Sequence, residues 1–95
     1  MIYVPLTQLH QFTVLKDILS YHQSDCCGSI SECEQVERLV KSLLAQGIDQ
    51  EHIVPVLNEI YQYGQNGKYS SDLDNHITTH QTQLTGWIDN INSLF

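Results

Sequence analysis

The chain has 95 residues, enough for one small domain and too few for two cores. Leu, Ile, Val and Phe number 28, too many for a chain that stays disordered by composition. Eleven Asp and Glu face only Lys16, Arg38, Lys41 and Lys68, a formal charge of −7 that excludes the phosphate-neutralising surface of a nucleic-acid binder.

Residues 1–6 read as an extended N-terminal segment, and the periodicity predicts a first helix over about 7–25. Phe12, Leu15, Ile18, Leu19, His22 and Cys26 share one stripe of an amphipathic helix. Thr7 is the expected cap, and Gly28 the residue that ends the element in a left-handed conformation. A second helix is predicted over 31–46. Ser31 and Glu34 have capping-box spacing, and Cys33, Val36, Val40, Leu43 and Leu44 form the inward stripe. Glu34 to Arg38 and Glu37 to Lys41 are i,i+4 pairs, each contributing about 0.3–0.5 kcal/mol. Gly47 stops this helix.

The third helix is expected over 50–63, capped by Asp49 and stapled by Ile48 and Ile53. Ile53, Val56, Leu57 and Ile60 supply its apolar face. Pro55 lies slightly beyond the first turn, so a kink or a short 3₁₀ start is expected. Gly64-Gln65-Asn66-Gly67 reads as a loop. The fourth helix, over 71–93, opens with Asp72 and Asp74 and carries Leu73, Ile77, His80, Leu84, Trp87, Ile88 and Ile91 on one stripe. Gly86 falls on the opposite face.

Short loops between four amphipathic helices predict an all-α, antiparallel up-down four-helix bundle forming a single domain over 1–95. A helical hairpin that completes its core as a homodimer is the competing architecture. No run of apolar residues is long enough to span a bilayer, and the N-terminus lacks the Lys or Arg of a signal peptide. Three cysteines, with Cys26 and Cys27 adjacent, do not form a disulfide framework, so a cytoplasmic location is expected. No helix has the basic polar face that binds anionic lipid.

Up-down connectivity brings the end of the first helix, the start of the second, the end of the third and the start of the fourth together. His22, Cys26, Cys33 and His80 then converge as a candidate tetrahedral zinc set, with His76 as a substitute ligand. His22 to Cys26 and His76 to His80 are i,i+4 pairs, each able to aim at one point. There is no CxxC, and Ile77 stands where a zinc-protease helix has its glutamate. The same residues suit better a core in which each imidazole needs only one hydrogen-bond partner, such as Tyr61 or a carbonyl of an opposite helix.

Thiol catalysis is disfavoured. Glu32, Glu34 and Glu37 oppose a thiolate at Cys33, and Asp25 does so at Cys26 and Cys27. With neither a phosphate loop nor a nucleophile elbow, no enzyme is expected. Tyr21, Tyr61, Tyr63 and Tyr69 gather near the same end and suit a surface that docks another protein.

Asp25-Cys26-Cys27-Gly28, Ser31-Glu32-Cys33-Glu34-Gln35 and Lys41-Ser42-Leu43 resemble the YtzH-like family of small proteins from Bacillus-type bacteria. Leu15-Lys16-Asp17-Ile18-Leu19 before them, and Leu73-Asp74, His76-Ile77, His80-Gln81, Leu84 and Trp87-Ile88 after them, extend the likeness from about Pro5 onward. The resemblance implies a cytosolic protein of a Gram-positive bacterium, and it carries over no activity, ligand or catalytic residue. The expected function is a small acidic protein–protein interaction or regulatory module without a cofactor; the alternative is a zinc-binding protein.

Overall fold

A computed structural model describes residues 6–25, 28–47 and 51–93. They form five helices: α1 (Leu6–Asp25), α2 (Ile30–Gln46), α3 (Ile53–Lys68), α4 (Leu73–Thr79) and α5 (Gln81–Asn92). Among the described residues there is no strand. None of these helices is long and apolar enough to cross a membrane.

The single fourth helix expected over 71–93 is two helices, and the cause lies in local side chains. The His76 carbonyl, which would accept the backbone N–H of His80 in a continuous helix, is taken by His80 Nδ1 at 2.7 Å and Thr79 Oγ1 at 2.9 Å. The His80 N–H shifts to the Ile77 carbonyl at 3.1 Å, and α5 restarts from the His80 carbonyl. Side chains that compete for a helical carbonyl in this way bend or interrupt the helix.

The α2 capping box is two residues earlier than expected. Ser29 Oγ accepts from the Glu32 N–H at 3.2 Å, and Glu32 Oε1 accepts from the Ser29 N–H at 2.8 Å. Both spacings satisfy the motif, but only the earlier box leaves Ile30 free to begin the helix. Gly47 ends α2 at φ +80°, as its position suggested. It is the one described glycine with positive φ, so Gly28 does not act as a left-handed stop. Thr7 lies inside α1, which begins at Leu6, so it is not the cap residue; residues 1–5 of the expected extended segment lie outside the described residues.

Asp49 and Ile48 lie outside the described residues; His52 is the N-cap of α3 and makes no side-chain cap bond. Pro55 is the third residue of α3, where its missing N–H has no intrahelical acceptor to lose, so the expected kink is unnecessary. Gly64 to Gly67 are helical, against the expected loop. A Cβ on Gly64 would lie 3.0 Å from the Cys33 carbonyl oxygen, and one on Gly67 would lie 2.8 Å from Cys33 Sγ. Both glycines are buried, and their lack of side chains lets α2 and α3 approach closely.

α1 and α2 run in opposite directions, and so do α2 and α3. Gln8 and Gln11 near the start of α1 bond Gly47 and Ser42 at the end of α2, while Cys33 near the start of α2 meets Gly67 near the end of α3. Glu37 crosses this second pair to Lys68 at 3.2 Å, in place of the expected partner Lys41. The Trp87 indole of α5 donates to Glu59 of α3 at 3.0 Å. Phe12, Leu15, Leu19, Val36, Val40, Leu43, Ile53, Leu57, Ile60, Ile77, Leu84 and Ile91 fill the core with Tyr63 and Trp87. Burying each such Leu or Ile contributes about 1.5–3 kcal/mol. The described fold measures 40 × 21 × 19 Å, which gives it two distinct ends.

Candidate functional site

One end gathers the polar and aromatic side chains around Tyr63, which the last turns of α3 carry into the core at 2% exposure. Its hydroxyl lies 2.8 Å from Nδ1 of His22, itself fully buried. Nε2 of that ring faces Glu32 Oε1 at 3.6 Å. A carboxylate offers only acceptors, so the ring proton sits on Nε2 and the Tyr63 O–H donates to Nδ1. His76 stacks on the phenol with centroids 4.8 Å apart, and its Nε2–H donates to the Tyr63 carbonyl at 3.0 Å. His80 and Trp87 pack edge-on to the same ring at 5.3 and 5.4 Å. Such pairs add about 0.5–1.5 kcal/mol each beyond area burial.

Gly28 lets this arrangement close. A Cβ there would fall on His22 Nε2 and lie 3.1 Å from Glu32 Oε1, so the backbone itself lies against the imidazole. Glu32 thus serves two groups, capping Ser29 and facing His22.

Burial dominates the electrostatics. It pushes the His22 pKa below its ordinary 6.5, with Glu32 acting in the opposite sense. Burial also lowers His76; its bond to the Tyr63 carbonyl opposes the shift and His80 adds to it. The Cys33 thiol is raised to about 11 by burial and then by Glu32, and Tyr63 is raised by burial and then by Cys33 and Glu32. With its thiol raised this far, Cys33 is no nucleophile at neutral pH.

Of the residues expected to ligate zinc, His22 and His80 meet the same Tyr63 ring, and Cys33 lies against Gly67 beside His76. Cys26 lies outside the described residues. Nδ1 of His22, Nε2 of His76 and Nδ1 of His80 each face a protein partner. Among the described residues, no group of three or more His, Cys, Asp or Glu is placed to hold a metal ion.

The expected interface tyrosines separate. Tyr21 and Tyr69 are 46% and 78% exposed, Tyr61 is half-buried, and Tyr63 belongs to the core because its hydroxyl finds an internal acceptor. Ile30, 52% exposed at the first position of α2, was not singled out from sequence. Once Ser29 is recognised as the cap, an isoleucine held outside the inward stripe is a legible sign of an apolar surface. Tyr21, Gly28, Ser29 and Glu32 line a shallow groove beside this cluster.

The fold and cluster define a small all-helical protein closed at one end by a tyrosine–histidine core. Residues 6–91 match the YtzH-like protein family, and the chain belongs to it. It is 44% identical over 84 residues to "Uncharacterized protein YtzH" of Bacillus subtilis (strain 168), covering 88% of this chain and 91% of that protein. No solved structure matches the chain.

Proposed function

We propose that this protein is a non-catalytic interaction module of the cytoplasm, which docks a partner protein through the end that holds the tyrosine–histidine cluster. One observation carries the reading. Among the described residues, the three exposed large hydrophobic side chains, Tyr21, Ile30 and Tyr69, all lie at that end: near the end of α1, at the first residue of α2 and at the C-cap of α3. Aromatic and aliphatic side chains at such exposure are the usual anchors of protein interfaces. The cluster beneath them supports a structural role, because its polar atoms face one another and its thiol stays protonated. No resident cofactor belongs to this reading.

The test is a photo-activated cross-linking side chain placed at position 30 in living Bacillus cells. A discrete adduct of one mass that disappears when Tyr69 is changed to Ser is the expected result. The same adduct pattern from position 30 and from exposed Glu51, or none from either, overturns the proposal.

A further inference from the structure

The face shared by the start of α2 and the end of α3 combines apolar anchors with negative charge. Ile30 and Glu34 are one turn apart on α2, and both are exposed. Tyr69 closes α3, and exposed Asp72 and Asp74 follow it at the start of α4. Among the described residues, the basic groups near this face are Arg38, which pairs with Glu34 at 3.9 Å, and Lys68, which pairs with Glu37 at 3.2 Å.

Lys68 displays the relevant chemistry within the chain. Its ammonium lies 5.0 Å from the centroid of the Tyr69 ring while it is paired with Glu37. An ammonium between a carboxylate and an aromatic face gains from both the charge and the ring quadrupole. Tyr69 remains 78% exposed with that lysine in place, and Asp72 and Asp74 lie close along the chain. A second cation approaching this face therefore meets the same two kinds of group.

We infer that this face docks a lysine- or arginine-bearing apolar segment of a partner protein, with its cations beside Tyr69, Asp72, Asp74 and Glu34 and an apolar side chain on Ile30. The inference rests on the docking function proposed above and gives the partner its chemistry. A second copy of the chain fits poorly, because each copy carries a formal charge of −7. Anionic lipid and nucleic acid are repelled for the same reason.

The experiment uses the full chain and two synthetic peptides of about 14 residues, long enough for an amphipathic helix. One is built of Lys and Leu, and the other has Glu in place of every Lys. Binding is followed by amide NMR. The Lys peptide is expected to shift Ile30, Glu34, Tyr69 and Asp74 while leaving Glu51 and Asp89 unmoved. Its affinity should fall about tenfold in Ile30→Ser and in Tyr69→Ser, and also as salt rises from roughly 50 to 200 mM.

Shifts that spread equally to Glu51 and Asp89 overturn the inference, since they mean diffuse attraction to an acidic surface. Equal binding of both peptides to the face overturns it as well, while leaving the docking function intact. Binding of neither peptide overturns it, and the cross-linking result at position 30 then decides the docking function separately. Asp74→Asn removes one exposed carboxylate from this face, so the Lys peptide should bind it several-fold more weakly with the melting temperature unchanged, and undiminished binding overturns the place given to that carboxylate.

Discussion

Tyr63 and His22 are 41 residues apart in sequence, and the Tyr63 hydroxyl lies 2.8 Å from Nδ1 of His22, a hydrogen bond between two buried side chains. The bond ties α3 to the last turn of α1, and the same phenol anchors His76 of α4 and Trp87 of α5. Tyr63→Phe keeps the ring contacts and removes only the hydroxyl, leaving Nδ1 of a buried imidazole without a partner. Such a loss costs about 1–3 kcal/mol. Urea unfolding should show a lower midpoint with unchanged slope. The double variant His22→Leu, Tyr63→Phe should recover part of the loss, since both polar groups are then gone. A single Tyr63→Phe variant as stable as the parent would deny the bond any structural weight.

The glycines of α3 and α5 give opposite expectations for one substitution. Alanine at Gly86 meets no atom within 4 Å and should stabilise the protein by about 0.5–1 kcal/mol through helix propensity alone. Alanine at Gly67 gains the same propensity but presses a methyl group against Cys33 Sγ at 2.8 Å. Overpacking a buried contact costs about 1–3 kcal/mol, so the net change is destabilising. Thermal melts of the two variants check the contrast. A Gly67→Ala protein that melts higher than the parent would mean that α2 and α3 have room to separate.

The inward stripes were legible because a 3.6-residue period depends on side-chain type alone. Phe12, Leu15, Leu19, Val36, Val40, Leu43, Leu57, Ile60, Leu84 and Ile91 are buried where the periodicity places them. The errors arise where a tertiary contact overrides local chemistry. Gly64 and Gly67 carry a loop composition, yet a neighbouring helix makes small residues necessary at those positions. His80 satisfies the apolar period while its ring displaces a backbone bond, an effect that no spacing rule contains. Ser31 and Glu34 have the spacing of a capping box, but so do Ser29 and Glu32, and it is the earlier pair whose carboxylate also reaches His22. The meeting of His22, His76 and His80 followed from helix order, whereas the partner that unites them, Tyr63, was assigned to the surface because tyrosine suits either place.

Cys33 should be inert in the folded protein. Its thiol is fully buried and raised to about 11, so the thiolate fraction is small and the sulfur is shielded. In a Cys26→Ser, Cys27→Ser background, a disulfide-exchange reagent at neutral pH should label Cys33 only at the rate of unfolding, and quickly in denaturant. Rapid stoichiometric labelling of native protein would show that the α2–α3 contact opens. A metal chelator added to the parent chain should leave its melting temperature unchanged, because the cluster's histidines already have protein partners. A fall in melting temperature accompanied by release of zinc would restore the ligand set of His22, Cys26, Cys33 and His80.

Acid should weaken the fold through His22 and His76. Burial sets both below their ordinary pKa of 6.5, so between the folded and unfolded values the unfolded chain binds more protons. Stability rises with pH wherever that holds. The contribution of the neutral rings is therefore complete above the unfolded value, is lost as pH falls through it toward the lower folded values, and levels off beneath them. Urea midpoints measured from roughly pH 8 to pH 5 should decline on the acid side, and His22→Gln should reduce the decline by removing one of the two groups. Glu32 opposes the shift at His22, so Glu32→Gln should carry the folded pKa lower and extend the loss further into acid. Midpoints that stay level through this range, or a decline undiminished in His22→Gln, would mean that the buried imidazole does not govern the acid response.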